Sequence, residues 1–283
     1  MKSKQSQIWL LAALAAPAAH FSGCGWLTVL ITAALVLPFS IMEKDWSFPR
    51  PVALVQILWL GIVAGSLLPG AAACWPSDNS LAVPLTILTL AALTGAGKAP
   101  WIGAVLALSM GLLSLPVAIS GAADLKLAWL APTPLTWQPM LALVFLLVSL
   151  PASGKGEGIW YPGILSVVIA GLEQGALSPY VAATVTDPEY QTARALGYLE
   201  PVAAAALTLG WYAMGSWLFV SAADIAKKSG ISQRLSYVLL WGTAATVLVG
   251  KGQPSATVLV VLSAFLWCFT PFFQNLKKVK NSA

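Results

Sequence analysis

Charge is what this chain has least of. Only 9% of its 283 residues are Asp, Glu, Lys or Arg, against roughly 25% in a typical soluble domain. So few charges cannot cover a water-facing surface, and no stretch is polar enough to hold a soluble domain. Soluble catalysis and nucleic-acid binding are excluded as function classes, and the net charge of +5 needs another reading. Histidine occurs once, at His20, and cysteine three times, at Cys24, Cys74 and Cys268. One histidine and scattered cysteines leave no dedicated metal cluster. An odd, sparse cysteine set is no disulfide framework. Cys24 and Cys74 both fall near one surface in the topology below, so a bridge between them stays open beside the commoner reading of buried thiols. A Walker-type phosphate loop and an HExxH motif are absent. No constellation calls for a cofactor or a catalytic role, so the chain reads as no enzyme.

Apolar sequence is what it has most of: 58% hydrophobic residues and a mean hydropathy of +0.81. The runs are continuous rather than alternating, which favours helices over a barrel. A membrane span needs about 20 residues, and ten segments fit. They are 7–22, 26–42, 52–74, 81–94, 100–120, 137–153, 160–182, 199–225, 235–250 and 254–274. Segments four and nine are short. The start, with Lys2 and Lys4 before an apolar run, mimics a signal peptide, but the spans that follow favour a retained first helix. The expected fold is an all-α membrane protein, a single polytopic domain over 1–283, with one half at about 7–120 and a second at about 137–274.

The basic residues give the orientation. With the N-terminus in the cytoplasm, the inner connectors hold Lys2, Lys4, Lys44, Arg50, Lys98, Lys155, Lys227, Lys228, Arg234, Lys277, Lys278 and Lys280. The outer ones hold Lys126, Arg194 and Lys251. This excess obeys the positive-inside rule and accounts for the net charge. Both termini are then cytoplasmic, in a plasma membrane whose lipid bilayer is the first partner. Five spans plus five puts the halves in opposite orientations, the parity an inverted repeat requires.

Two broken segments hold matching places, first and sixth. Ala15-Ala16-Pro17-Ala18-Ala19-His20-Phe21-Ser22-Gly23 interrupts one, and Val148-Ser149-Leu150-Pro151-Ala152-Ser153-Gly154 closes the other. Interrupted spans in corresponding positions point to a transporter-type binding site. Proline frees backbone groups, and small neighbours admit a ligand. Ala16, Pro17, His20, Ser22 and Gly23 form one side of the candidate site, Ser149 and Pro151 the other. Each has a plainer reading: a proline kink with His20 reaching the headgroups, and a helix end before a glycine turn. Gly65 in segment three, and Trp211 and Tyr212 in segment eight, are further lining candidates, against ordinary helix packing for the glycine. Glu173 lies within segment seven, where an ionisable residue is a functional hypothesis by default; it is the proton-coupling candidate, unless the segment ends early and leaves it at a wet edge. Glu200 precedes Pro201 at a helix start, and Asp224 has Lys228 four residues on, an ordinary surface pair.

In Gln7-Ile8-Trp9-Leu10-Leu11, Gly25-Trp26-Leu27-Thr28-Val29-Leu30, Gly103-Ala104-Val105-Leu106, Trp129-Leu130-Ala131-Pro132 and Ala193-Arg194-Ala195-Leu196-Gly197-Tyr198-Leu199-Glu200, the chain resembles the spore-germination GerAB-like family of the amino acid–polyamine–organocation superfamily. The likeness covers most of the length as order and spacing. It implies a LeuT-like fold of two inverted five-helix repeats, with the ligand between helices one and six and flanked by three and eight. It implies an amino-acid ligand, transport or germinant sensing, and partner subunits in a receptor complex of a plasma or spore inner membrane. A ligand carboxylate would meet the backbone near Ala16–Gly23, and an amine the carbonyls near Ser149–Ser153. The chain departs from the family in its trimmed loops, and in having Ser149 and Pro151 where an acidic residue is expected.

Overall fold

The computed structural model describes residues 49–68, 81–94, 126–131 and 197–250 as continuous stretches, with isolated positions at 26–28, 30–31, 34, 72, 75, 167–168, 171, 174–175 and 194. Segments one, five, six and ten lie outside the described residues, and with them the count of ten spans.

Four helices carry the described core. α1 spans Arg50–Leu67, α2 Ala82–Thr94, α3 Glu200–Lys228 and α4 Gln233–Val249. Most of their ends have a local reason. Pro51 sits in the first turn of α1 and Pro201 in that of α3, where the missing N–H costs no hydrogen bond. The expected third segment ran on to residue 74; α1 is described to Leu67, Leu68 keeps helical backbone at φ −61° and ψ −24° with its N–H on Ala64 O, and most of the residues beyond lie outside the described ones. α3 takes in Lys227 and Lys228, which the sequence placed in a connector. They sit in its last turn, opposite Glu200 in its first, and both ends match the helix dipole.

The turn from α3 to α4 is closed by backbone bonds. The Ile231 N–H donates to Ala226 O at 2.8 Å and the Gly230 N–H to Lys227 O at 3.4 Å. This double pattern needs a left-handed residue, and Gly230 supplies it at φ 68°. α3 and α4 are therefore an antiparallel pair. A 3-10 turn, Leu127–Leu130, is the remaining described element of any length.

The most extensive contact joins α1 to α4, and the next joins α2 to α3. Gly61 and Gly65 make the first one close. A Cβ on Gly61 would stand 2.7 Å from Thr243 Cβ, and one on Gly65 2.7 Å from Ala244 O. The contacts advance together along both helices, so α1 and α4 run parallel. Arg50, at the start of α1, lies beside Gly230 at the end of α3. Trp75, beyond the end of α1, reaches Thr208 near the start of α3. α1 and α3 are thus antiparallel. Ile57, Leu60, Leu88, Leu218, Phe219 and Leu240 fill the centre, and the Phe219 ring meets Tyr237 edge-on at 5.2 Å.

Length separates the helices. At 1.5 Å per residue α3 extends roughly 43 Å and α2 only about 20 Å, against a bilayer hydrocarbon core of about 30 Å. Among the described residues, α3 is the one helix long and apolar enough to cross a membrane by length and composition.

Candidate functional site

Ala16, Pro17, His20, Ser22, Gly23, Ser149, Pro151 and Glu173 lie outside the described residues. Gly65, Trp211 and Tyr212 lie within them, on α1 and α3. Gly65 faces α4, and its missing side chain is what lets Ala244 and Val247 approach. Tyr212 shares a hydrogen bond with Thr94 at the end of α2. Both residues join helices in this fold.

The Tyr212 contact follows a device that recurs. The Thr94 hydroxyl donates to Leu90 O at 2.6 Å in its own helix. Its single proton is then committed, so the Tyr212 hydroxyl is the donor to Thr94 Oγ1. Thr208 donates to Ala204 O at 2.7 Å and accepts from Trp75 Nε1 at 2.8 Å. Thr89 donates to Leu85 O at 2.8 Å and accepts from Trp241 Nε1 at 3.3 Å. Each threonine satisfies its own hydroxyl within the helix and offers the lone pair to an aromatic side chain from elsewhere. The apolar flank of a helix thereby gains a directional contact. Threonines 89 and 94 escaped the sequence reading, because a threonine in an apolar run gives no sign of its distant partner.

Trp211 differs. It is 4% exposed, and its Nε1 has no hydrogen-bond partner. Ser216 and Ser221, on the same helix, are fully or almost fully buried with unpartnered hydroxyls. On α1, Gln56 Oε1 and Trp59 Nε1 are in the same state, at 6% and 3% exposure. Gln56 and Trp59 lie three residues apart, on one stripe about half a turn round α1 from Gly61 and Gly65. This stripe therefore looks away from α4. A buried donor or acceptor left unpaired costs about 1–3 kcal/mol, and each such group calls for an explanation. Five of them lie on two packed helices, as four donors and one amide acceptor; on α3 Trp211, Ser216 and Ser221 stand about 140° apart from one to the next, so they face different neighbours. The buried polar set among the described residues contains no charged side chain.

A second polar centre is fully paired. Gln174 is 2% exposed. Its Oε1 accepts from the Trp26 N–H at 3.3 Å, and its Nε2 donates to Trp129 O at 2.6 Å and to Ala131 O at 3.0 Å. Trp26 Nε1 donates to Leu130 O at 3.0 Å, and the Lys126 N–H to Gly175 O at 3.2 Å. The Lys126 ammonium stands 4.3 Å from the centre of the Trp129 ring, within cation–π range. One glutamine side chain thus ties the start of the second apolar segment, the connector at 126–131 and the seventh segment together. The sequence drew attention to its neighbour Glu173 because a charge in an apolar run stands out and an amide does not.

No known family profile matches the chain, and no curated protein sequence matches it.

Proposed function

We propose that this chain is a ten-span membrane protein of two inverted five-helix halves, built to bind a small molecule of the amino-acid type. The observation that carries the reading is the set of buried, unpartnered polar atoms on α1 and α3. These helices are the third and eighth segments, those expected to flank the ligand. Indole N–H and serine hydroxyl groups suit a carboxylate, and the Gln56 carbonyl suits an ammonium group. Ala16–Gly23 and Ser149–Ser153 supply the remaining backbone groups in this reading, and Glu173 the proton-coupling carboxyl.

The helix packing supports the two-half architecture. α1 and α2 are segments three and four of the first half; α3 and α4 hold the same places in the second. The two largest contacts, α1 with α4 and α2 with α3, exchange into each other when the halves are exchanged. Parallel α1 and α4 agree with third and ninth spans crossing in one direction. Arg50, Lys227, Lys228 and Arg234 gather at one end, as the positive-inside orientation requires.

A second reading is a non-transporting sensor or scaffold subunit of a membrane complex, working with partner subunits. It is favoured by the uncharged buried polar set among the described residues, since ion-coupled transport runs through intramembrane ionisable groups.

The test is thermal unfolding of purified protein across the common amino acids, with wild type, Trp211→Phe, Trp59→Phe and the pair Pro17→Leu with His20→Ala. A ligand at 100 times its Kd stabilises by about 2.7 kcal/mol. A shift with one ligand class, lost in the variants, is the expected result. A flat panel would refute an amino-acid ligand. Binding without gradient-driven uptake into vesicles would select the sensor.

A further inference from the structure

Charge of one sign collects where α1 begins and the α3–α4 turn closes. Arg50, Lys227, Lys228 and Arg234 come from three helices. Among the described residues Asp224 is the acid at this end, and it is taken by Lys228 at 3.4 Å. Among the described residues, Arg50, Lys227 and Arg234 have no carboxylate at ion-pair distance. Arg50 is held against the turn, its Nη2 3.5 Å from where a Gly230 Cβ would stand. α4 starts at the same end without a side-chain cap from Ser232, so its first N–H groups add partial positive charge.

Apolar side chains stand directly beyond these cations. Val55 and Leu58 on α1 are 47% and 38% exposed, and Leu235 and Val238 on α4 are 47% and 68% exposed. Because α1 and α4 run parallel, both stripes lead away from the basic end in the same direction. They begin within roughly 12 Å of Arg50 and Arg234 along the helix axes, at 1.5 Å per residue. Unpaired guanidinium groups fit a phosphate by forked hydrogen bonds, and each apolar pair offers its own track for an acyl chain, since Leu235 and Val238 lie on the side of α4 turned away from its contact with α1.

We propose that this end of the bundle is a binding site for an anionic phospholipid. The phosphate lies among Arg50, Lys227 and Arg234, and an acyl chain follows Val55 and Leu58 or Leu235 and Val238. Charge complementarity selects an anionic headgroup over a zwitterionic one. The adjoining apolar stripes select a lipid over free phosphate. This inference rests on the membrane reading of the chain and adds a site distinct from the ligand site proposed above.

The experiment follows the unfolding temperature of the full chain in neutral detergent. The additives are phosphatidylglycerol, phosphatidylcholine with the same acyl chains, and inorganic phosphate. The variants are Arg50→Gln with Arg234→Gln, and a control with Lys277, Lys278 and Lys280 changed to Gln. Phosphatidylglycerol should raise the wild-type unfolding temperature, with the other two additives inert. Each arginine charge removed should weaken the apparent affinity roughly fivefold, the effect of one basic residue at an anionic membrane surface; the tail control should keep the wild-type response. Equal responses to the two lipids, a full response to phosphate alone, or an equal loss in the tail control would each overturn the site. Should the arginine variants fail to fold, the wild-type preference between the two lipids decides. Alkaline washing of membranes separates the premise from the inference. Release of the chain overturns both, whereas a retained chain without lipid preference overturns the site alone.

Discussion

The seam between α1 and α4 makes a quantitative prediction through Gly61 and Gly65. An alanine Cβ at 61 would meet Thr243 Cβ at 2.7 Å and Leu240 O at 2.9 Å; one at 65 would meet Ala244 O and Val247 Cβ, both at 2.7 Å. Ordinary contact begins near 3.4 Å, so either substitution requires the helices to part by about 0.7 Å or more. Overpacking of this kind costs about 1–3 kcal/mol. Alanine regains about 1 kcal/mol from its better helix propensity, leaving a net loss of up to about 2 kcal/mol for each single variant. The separation that relieves one clash also relieves the other, because the helices are parallel and the glycines lie one turn apart. The double variant should therefore lose little more than the worse single one, a coupling of about 1 kcal/mol or more in a double-mutant cycle. Gly242, on α4, is the control. A Cβ there meets nothing within 4 Å, so Gly242→Ala should be neutral or stabilising. The assay is reversible unfolding of all four variants in mixed micelles, followed by circular dichroism. Gly61→Ala as stable as Gly242→Ala, or fully additive losses at 61 and 65, would refute the argument.

Other outcomes follow from the polar contacts. Gln174→Leu should cost about 1–3 kcal/mol, because it strands the Trp26 N–H and two carbonyls in a buried place; hydrogen exchange should quicken first at the 126–131 connector, and unchanged exchange there would refute the tie. Thr208→Val should cost about 1 kcal/mol by leaving the Trp75 indole N–H unpaired, while Thr208→Ser should restore it; equal losses in the two variants would show that the hydroxyl is idle. Asp224→Asn should change stability by less than about 0.5 kcal/mol, since the pair with Lys228 is solvent-exposed; a larger loss on chemical unfolding would count against that. Trp59→Phe should leave stability unchanged or raise it in the ligand-free protein, as it removes a buried donor that has no partner, and a marked loss would point to a hydrogen bond at that nitrogen.

Much of the local structure was legible before any coordinates. α2, α3 and α4 follow apolar runs bounded by proline, glycine or charge, and lie within three residues of the ranges expected for segments four, eight and nine. Glu200 opens a helix and Asp224 pairs with Lys228, as spacing alone indicated. Segment three was expected to run to residue 74, and α1 follows it from Arg50 to Leu67, most of the residues past Leu68 lying outside the described ones. Gly65 and Tyr212 were singled out as lining, and both join neighbouring helices, through the α4 seam and Thr94. Small and aromatic residues look alike in a sequence whether they border a ligand or a helix.

The sequence alone settled the charge-poor, apolar character of the chain, the helical nature of its described core and most of the places where those helices start and stop. These depend on neighbours within a few residues: a proline in a first turn, a left-handed glycine after a last one, a lysine four places from an aspartate. Tertiary structure alone decided that α1 lies along α4, more than 170 positions away, that three threonines receive aromatic side chains from other segments, and that Gln174 binds three segments together. It also decided which polar groups remain buried without a partner. Such contacts depend on how surfaces far apart in the chain match in shape and hydrogen-bonding capacity, and that match appears only when the helices are brought side by side.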